Sequence, residues 1–526
     1  MLPLENITVG ALLRRTAALF PNRSAVIDHG KKLSYREFDE LTDRFATALL
    51  RRGIGYGDHV ALFGEAEAEV LALFFAIQRI GAVAVMVNTA LVRTDLETVL
   101  RLGDPKLACI GISYQKERSL PADVSAIGDI PTLEGIFTVG SAVGDTYPPI
   151  LTDETAVDEA AVAAAEKLVR CEDTAVIIFT SGSTGLPKPV MTSHFSRVNG
   201  GIQQANDFAA TCEDVFCVAL PLFHCFTIST NVMASVAVGG CICLPDSRHT
   251  GPILRAIQAH RCTVLHAVPT MYRAIMARKD FHDYDIGSLR VGIIGGASYP
   301  PGDFRQIEES FGMTLASSLG QTETTAGNTV CRLDDSMEKR STTVGRFMNH
   351  VTGKIADPET GAPLGPGKVG EICIKGYLVM QGYYHQPEQT AKAIDRDGWL
   401  HTGDLGELDG EGNIILRGRI KELINRGGEK ISPVEVENEI CSLPAVEACR
   451  LVPVPDEHYG EEACACVVTG ENRNITEKEI REHLRKQVAA YKIPKYILFF
   501  DRLPLNATGK VDTAATAAKA RAELGI

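Results

Sequence analysis

The chain has 526 residues, 45% hydrophobic and 23% charged, the balance of a soluble globular protein of three or four domain-sized units. Its net charge of −13, from 53 basic and 66 acidic residues, argues against nucleic-acid binding, which calls for basic excess, but leaves room for local phosphate sites. Fourteen cysteines contain no Cys-x-x-Cys pair, the nearest being Cys241/Cys243 and Cys464/Cys466, so reduced, buried thiols of a cytoplasmic protein are expected rather than disulfides or zinc.

The first ten residues show no basic segment followed by an apolar one, so no signal peptide is expected. Val9 to Leu13 open an amphipathic helix. Ser34 stands before Tyr35-Arg36-Glu37, where a capping box predicts another helix start. Val60–Phe63 and Ala82–Val87 read as buried strands around a helix at 66–80. Such alternation predicts βαβ units with parallel sheets through about 170, and the same style returns over 171–330. There Ala175–Phe179, Val264–Val268 and Val291–Gly296 read as strands, and ligands of open α/β sheets sit at the carboxyl ends of such strands. The charge-free stretch 215–245 is broken by Pro221, His224, Thr227, Ser229, Thr230 and Asn231, so it reads as strand, loop and helix in a core, not as a membrane span. From 331 to 417 short strands and Gly/Pro turns predict a β subdomain. A boundary is expected at 418–422. A compact α+β unit over 423–526 follows, with a helix at 433–442, strands at 445–455 and 462–468, a charged helix at 476–488 and a terminal strand. The fold class expected is therefore α/β: a large N-terminal domain over 1–417, then a small mobile α+β domain.

One run stands out. Thr180-Ser181-Gly182-Ser183-Thr184-Gly185-Leu186-Pro187-Lys188 follows a predicted buried strand. Glycines there let backbone N–H groups approach a phosphate, hydroxyls add donors and Lys188 adds charge. It lacks the Gly-Lys-Ser/Thr order of a kinase-type phosphate loop. Alone it is equally a flexible Ser/Gly turn.

Three further segments follow it: Ser318-Leu319-Gly320-Gln321-Thr322-Glu323, His401-Thr402-Gly403-Asp404-Leu405-Gly406, and Gly418-Arg419-Ile420-Lys421-Glu422-Leu423-Ile424. Pro504-Leu505-Asn506-Ala507-Thr508-Gly509-Lys510 closes the series. In this order and spacing the chain resembles the adenylate-forming superfamily of acyl-CoA synthetases, adenylation domains and luciferases, over nearly its whole length, and is most similar to its acyl-CoA ligases. The resemblance implies ATP, Mg²⁺ and coenzyme A as cofactors, and an acyl-adenylate formed before a thioester. By that resemblance the run Thr180 to Lys188 would hold the β- and γ-phosphates, Thr322 the α-phosphate, and Glu323 the magnesium. Asp404 would take the ribose hydroxyls, with Arg419 beside the sugar. Gly296, Ala297, Leu319 and Gly320 would border the nucleotide. Lys510 would reach the α-phosphate from the small domain, which turns about Lys421. Gly427 and Gly428 would line the thiol path, where a larger side chain would fill a narrow channel. Each residue also has a plain structural reading: Glu323 as a helix N-terminal carboxylate, Asp404 as a turn residue, Lys510 as a solvated lysine.

Two positions depart from the family pattern. Leu319 replaces the usual aromatic cover of adenine, and Pro189 replaces glycine after Lys188, removing a backbone donor. Pro221-Leu222-Phe223-His224-Cys225-Phe226-Thr227 is similar to the family's acyl-gating segment, with His224 as gate or as a plain core histidine. Thr227 cannot pair an α-ammonium group, and Cys225 replaces the asparagine of hydroxybenzoate ligases. Val268, Met271, Gly295 and Gly320 complete an apolar or small lining, with Arg273 as the one cation nearby in sequence. The expected substrate is an apolar monocarboxylate, a medium- or short-chain fatty acid ahead of an aryl acid. Transfer to a carrier protein is the alternative within the enzymes, and a degenerate ligand-binding protein the alternative outside them. A homodimer is admitted; no nucleic-acid partner and no membrane span are expected.

Overall fold

The structure, a computed structural model, describes the chain except residues 1, 92, 112–129, 141–146, 153–154, 181–185, 298, 471–473 and 506–510, with backbone only at 93–94. Two seven-stranded sheets build the large domain. One runs in the order Thr314–Ser318, Val291–Gly295, Val264–Leu265, Val215–Cys217, Cys241–Leu244, Ser24–Asp28, Lys31–Ser34, and is parallel up to its final hairpin. The other runs Gly382–Tyr383, Lys188–Ser193, Thr174–Thr180, Val83–Met86, His59–Phe63, Leu107–Gly111, Gly135–Val139, with the first two junctions antiparallel and the rest parallel.

Helices fill the space between them. Ala68–Arg79 is buried at every position but Glu69, as a helix apolar on all sides must be. A single apolar cluster joins it to Val26 and Ile242 of the first sheet, Val60 and Val176 of the second, and Leu12, Phe45 and Val198 of three neighbouring helices. The sequence reading of this helix and of the capping box holds: Ser34 accepts from Glu37 N–H, and the Glu37 carboxylate accepts from Ser34 N–H at 2.7 Å. Arg79, fully buried, is neutralised by Asp39 and Asp43, with Asp43 also bound by Arg14 at 2.9 Å.

The two sheets exchange strands across residue 170. Ser24–Asp28 and Lys31–Ser34 complete the sheet built mainly after 215, while Thr174–Thr180 and Lys188–Ser193 complete the sheet built mainly before 140. The charge-free stretch resolves into strand Val215–Cys217, a π-helical segment Thr227–Met233, helix Ala234–Val238 and strand Cys241–Leu244. Among the described residues no helix is long and apolar enough to cross a membrane.

A four-stranded antiparallel sheet, Val351–Ala356, Gly370–Gly376, Leu400–Leu408 and Ile414–Arg419, forms the β subdomain. A 3₁₀ turn, Ile420–Glu422, leads from it into the small domain. That domain packs five strands and helices Pro433–Cys441 and Glu477–Gln487 around its own core of Ile424, Val436, Leu451, Ala465 and Ile480. The expected terminal strand, Tyr496–Phe499, is not the last element: helix Thr513–Leu524 follows, capped by Asp512 on Ala515 N–H at 2.9 Å. It is alanine-rich and shows little amphipathic stripe, so periodicity gives no sign of it.

Candidate active site

The Gly-rich run is flanked by strands Thr174–Thr180 and Lys188–Ser193, which pair with Thr180 opposite Lys188. Both ends of the Gly-rich run are thereby pinned face to face. Ser181, Gly182, Ser183, Thr184 and Gly185 lie outside the described residues. Pro189 sits one residue inside its strand, opposite Phe179, and its carbonyl accepts from Tyr384 N–H at 2.8 Å. The N–H it lacks falls at the mouth of the strand, where proline is tolerated.

Tyr383, which sequence reading missed, ties this side together. Its hydroxyl donates to Glu323 Oε1 at 2.9 Å, and the Lys188 ammonium lies 4.9 Å from its ring centroid. Thr180 Oγ1 donates to the same Glu323 oxygen at 3.5 Å. Burial, reinforced by the Glu323 charge, pushes the Tyr383 hydroxyl well above its ordinary value, so it stays a donor. No sequence signal marks Tyr383, because its partner lies 60 residues away.

Thr322 and Glu323 open a 3₁₀ turn, Thr322–Thr324, after strand Thr314–Ser318. The chain doubles back at once: a Cβ on Gly320 would lie 2.1 Å from Ala326 O, so only glycine fits there. Gly295 is equally confined, with a Cβ 2.7 Å from Ser318 O, while Gly296, at φ +79°, and Ala297 are exposed just past the end of strand Val291–Gly295. Leu319 is turned toward the β subdomain. It packs with Ile355, Ile372, Ile374 and Ile414 and is 9% exposed, so it serves that core first.

On the β subdomain, Asp404 and Arg419 are paired across strands Leu400–Leu408 and Ile414–Arg419, and Arg419 Nε donates to Asp404 Oδ1 at 2.8 Å. Asp404 is buried. Burial pushes its carboxyl above the ordinary range, Arg419 pulls it back, and Glu422 and Glu323 add to the rise. Arg419 is held charged chiefly by Asp404, with help from Glu422 and Glu323. Glu323 therefore lies close enough to act on the Asp404–Arg419 pair as well as on Tyr383, which brings the three motifs together. Glu371, also missed, supports the turn before Asp404. Its Oε1 accepts from Gly403 N–H at 2.9 Å and its Oε2 contacts His401 Nδ1 at 2.7 Å. Glu371, Cys373 and His401 are the one group of three metal-type donors found together among the described residues, and these contacts occupy the carboxylate in holding the loop.

The segment Pro221–Thr227 lies beside Thr322. Thr322 Oγ1 contacts Cys225 Sγ at 3.7 Å, His224 packs on Phe223 with ring centroids 4.7 Å apart, and Thr227 Oγ1 donates to Pro221 O at 2.8 Å. This segment runs into the π-helical turn, a feature often found at functional sites. Val268 caps helix Pro269–Met276, and Met271 is half-buried against the neighbouring core. Arg273 is paired with Asp303 at 3.3 Å and does not stand as a free pocket cation. Arg197, which sequence reading passed over, lies fully buried behind Cys225.

Lys421 is exposed on the 3₁₀ turn Ile420–Glu422 that leads into the small domain. Gly427 and Gly428 are exposed at a hairpin tip with φ +58° and +100°. A Cβ would meet Tyr459 at 2.7 Å from Gly427 and open space from Gly428. Lys510 lies outside the described residues. Glu422 is held by Arg450 at 2.9 Å, and Arg450 also pairs with the buried Glu437 at 3.4 Å, so this turn is anchored to the small domain.

A large α/β domain of parallel sheets followed by a small α+β domain is the build of an adenylate-forming enzyme. Residues 13–384 match the AMP-binding enzyme family and 435–510 its C-terminal domain, and the chain belongs to this family. Its relatives narrow the class. The Bacillus subtilis (strain 168) protein YngI, provisionally named an acyl-CoA synthetase, is 36% identical over 97% of this chain and 96% of its own length. The mitochondrial medium-chain acyl-CoA ligase ACSF2 of Rattus norvegicus is 33% identical over 97% of this chain and 86% of its own. Among solved structures, the anthranilate CoA ligase AuaEII with anthranoyl-AMP matches with a TM-score of 0.87 and 25% identity, covering 100% and 99% of the two chains. ATP-bound MatB from Rhodopseudomonas palustris matches at 0.84 and 28%, covering 98% and 99%. The chain is an enzyme of the acyl-CoA synthetase type, an ATP-dependent acid:CoA ligase.

Proposed function

We propose that this enzyme activates an apolar, medium- or short-chain monocarboxylic acid, and that the residues assembled around Glu323 and Asp404 carry its first half-reaction. The observation behind this reading is the convergence of Thr180, Lys188, Thr322, Glu323 and Tyr383 with the Asp404–Arg419 pair.

A carboxylate is a poor electrophile. Joining it to AMP creates a leaving group, and the barrier lies in bringing two anions together and in the charge that builds on the α-phosphate. Lys188 supplies positive charge at the mouth of the phosphate loop. Thr322 Oγ1, now on Cys225, is free to turn to a phosphate oxygen. Glu323 Oε1 is used by Tyr383 and Thr180, which leaves Oε2 as a hard oxygen ligand. That donor suits Mg²⁺, which takes one or two carboxylates plus substrate phosphates, and the ion would neutralise phosphate charge there. Asp404, deprived of water and fixed by Arg419 through Oδ1, offers its other oxygen to ribose hydroxyls. Lys510, by its place in the motif, would stabilise the α-phosphate, and CoA would attack after the small domain turns about Lys421, passing Gly428.

The acid is read from the acyl segment. Thr227 is buried and engaged with Pro221, Arg273 is engaged with Asp303, and Arg197 exposes no surface. A second carboxylate or an ammonium group would meet no free opposite charge among these residues, at a penalty of several kcal/mol. The name of ACSF2 points the same way. None of the fourteen cysteines is in a disulfide, in keeping with a reducing, cytoplasmic setting. The test is kcat/KM over octanoate, butyrate, benzoate, salicylate, succinate and phenylalanine, followed by pyrophosphate release with and without CoA. Octanoate or butyrate should lead. Preference for succinate or phenylalanine overturns the pocket assignment, and preference for salicylate moves the enzyme to the aryl-acid ligases.

A further inference from the structure

Thr325 sits two residues after Glu323 in a backbone conformation that a β-branched residue seldom adopts, φ +64° and ψ −38°. Ala326 N–H donates to Thr324 O at 2.6 Å, closing a three-residue γ-turn of the strained, positive-φ kind. Such a conformation persists only where its surroundings enforce it. Here they do. Thr325 is fully buried, its N–H donates to Thr322 O at 3.0 Å, and its Oγ1 donates to Leu378 O at 2.8 Å. Its carbonyl, pushed out by the turn, accepts from Arg197 Nη1 at 2.9 Å and from Ser229 Oγ at 3.2 Å.

Arg197 is otherwise hard to account for. It projects from helix His194–Asp207 with no exposed surface and has no carboxylate partner among the described residues. Its Nε donates to Thr192 Oγ1 at 2.9 Å, its Nη1 also to Ser229 Oγ at 3.2 Å, and its Nη2 has no hydrogen-bond partner among the described residues. An unpaired buried cation is a poor way to fill a core, since an apolar side chain of similar length packs there at least as well. The guanidinium instead links three segments through its fixed fork: the strand after the phosphate loop at Thr192, the π-helical acyl segment at Ser229, and the turn behind Thr322–Glu323 at Thr325 O.

We propose that Arg197 is a positioning residue for adenylate formation: with Ser229 it holds the strained turn at Thr325, and so fixes Thr322 and Glu323 against the phosphate loop and the acyl segment. The inference rests on the acyl-adenylate reading above. Without the guanidinium the turn relaxes, and displacements of an ångström at positioned groups lower rates by up to about 100-fold.

The experiment measures acid-dependent ATP–pyrophosphate exchange and thermal unfolding for the full-length protein and its Arg197→Met and Arg197→Lys variants. Exchange by the unsubstituted enzyme comes first; its absence sinks the adenylate reading itself. Given that exchange, Arg197→Met should lower kcat by about 10- to 100-fold, leave KM for ATP within about threefold, and keep Tm within about 3 °C. Arg197→Lys, able to reach one acceptor, should recover part of kcat. Three results overturn the proposal: unchanged kcat in Arg197→Met, a kcat loss that tracks a fall in Tm, or a loss in KM alone with no recovery by lysine.

Discussion

Replacing Asp404 with asparagine separates what this residue does for ATP from what it does for the fold. The carboxylate is 3% exposed, so its charge is held largely out of water, and its carboxyl is pushed up by that burial despite Arg419. A carboxyl raised on folding is one whose ionised form works against folding above its unfolded value of 3.8, a disadvantage that disappears as pH falls toward 3.8. Asparagine keeps the shape and an acceptor for Arg419 Nε but carries no charge. Stability at pH 7.5 should therefore hold or rise. For ATP the balance is opposite. A hydrogen bond to a charged acceptor contributes about 1.5–3 kcal/mol, so loss of that charge at the ribose should lower kcat/KM for ATP about 10- to 150-fold. Most of it should fall on KM, because the ribose is remote from the reacting phosphate and binds alike in ground and transition states. Pyrophosphate exchange at varied ATP and a melting curve decide it. A KM within twofold of the parent, or a drop in Tm of more than about 5 °C, would refute the reasoning.

Lys510→Ala should lower adenylate formation by at least about 10²–10³-fold while thioester formation from pre-made acyl-adenylate survives; equal loss in both steps removes its assigned role. Gly428→Leu should block CoA attack and spare pyrophosphate exchange, because the backbone strain that φ +100° imposes on any side chain falls on an exposed hairpin tip of the small domain where a Cβ meets open space; unaffected CoA turnover, or equal loss of exchange, rejects it. Burial pushes the Asp207 carboxyl up to about 7 from 3.8, against a weaker pull from Arg332. Asp207→Asn should therefore stabilise the protein at pH 8, by at most about 4 kcal/mol, with the gain fading as pH falls through 7 and gone near 3.8; a gain that is the same at pH 4 and pH 8 in urea unfolding rejects it.

Local features were legible. Ser34 and Glu37 declare a helix start because both partners lie within four residues, and Ala68–Arg79 declares a core helix because it is apolar all round. Motif residues such as Asp404 and Glu323 stand out in the sequence because family spacing marks them. Their supports were not. Tyr383 and Glu371 act across 60 and 32 residues, and nothing in either neighbourhood announces the partner. Arg197 is meaningful only beside the carbonyl of Thr325, and that carbonyl's direction is set by a backbone angle no residue type predicts, least of all threonine. Leu319 was assigned to adenine by position, but its side chain is claimed by a subdomain whose strands begin at Val351.

The exchange of strands across residue 170 governs how the chain can be made. The sheet begun by His59–Phe63 and Val83–Met86 presents an open edge until Thr174–Thr180 arrives, and Lys188–Ser193 stays uncovered until Gly382–Tyr383 closes on it. The first hairpin, Ser24–Ser34, has no sheet to join until Cys241–Leu244 emerges. A nascent chain halted near residue 170 thus carries two sets of unpaired strand edges, the kind of surface that pairs with a second chain. The large domain cannot be cut there into two units that fold alone. The small domain, with its own core beyond the hinge, is the part whose folding can wait.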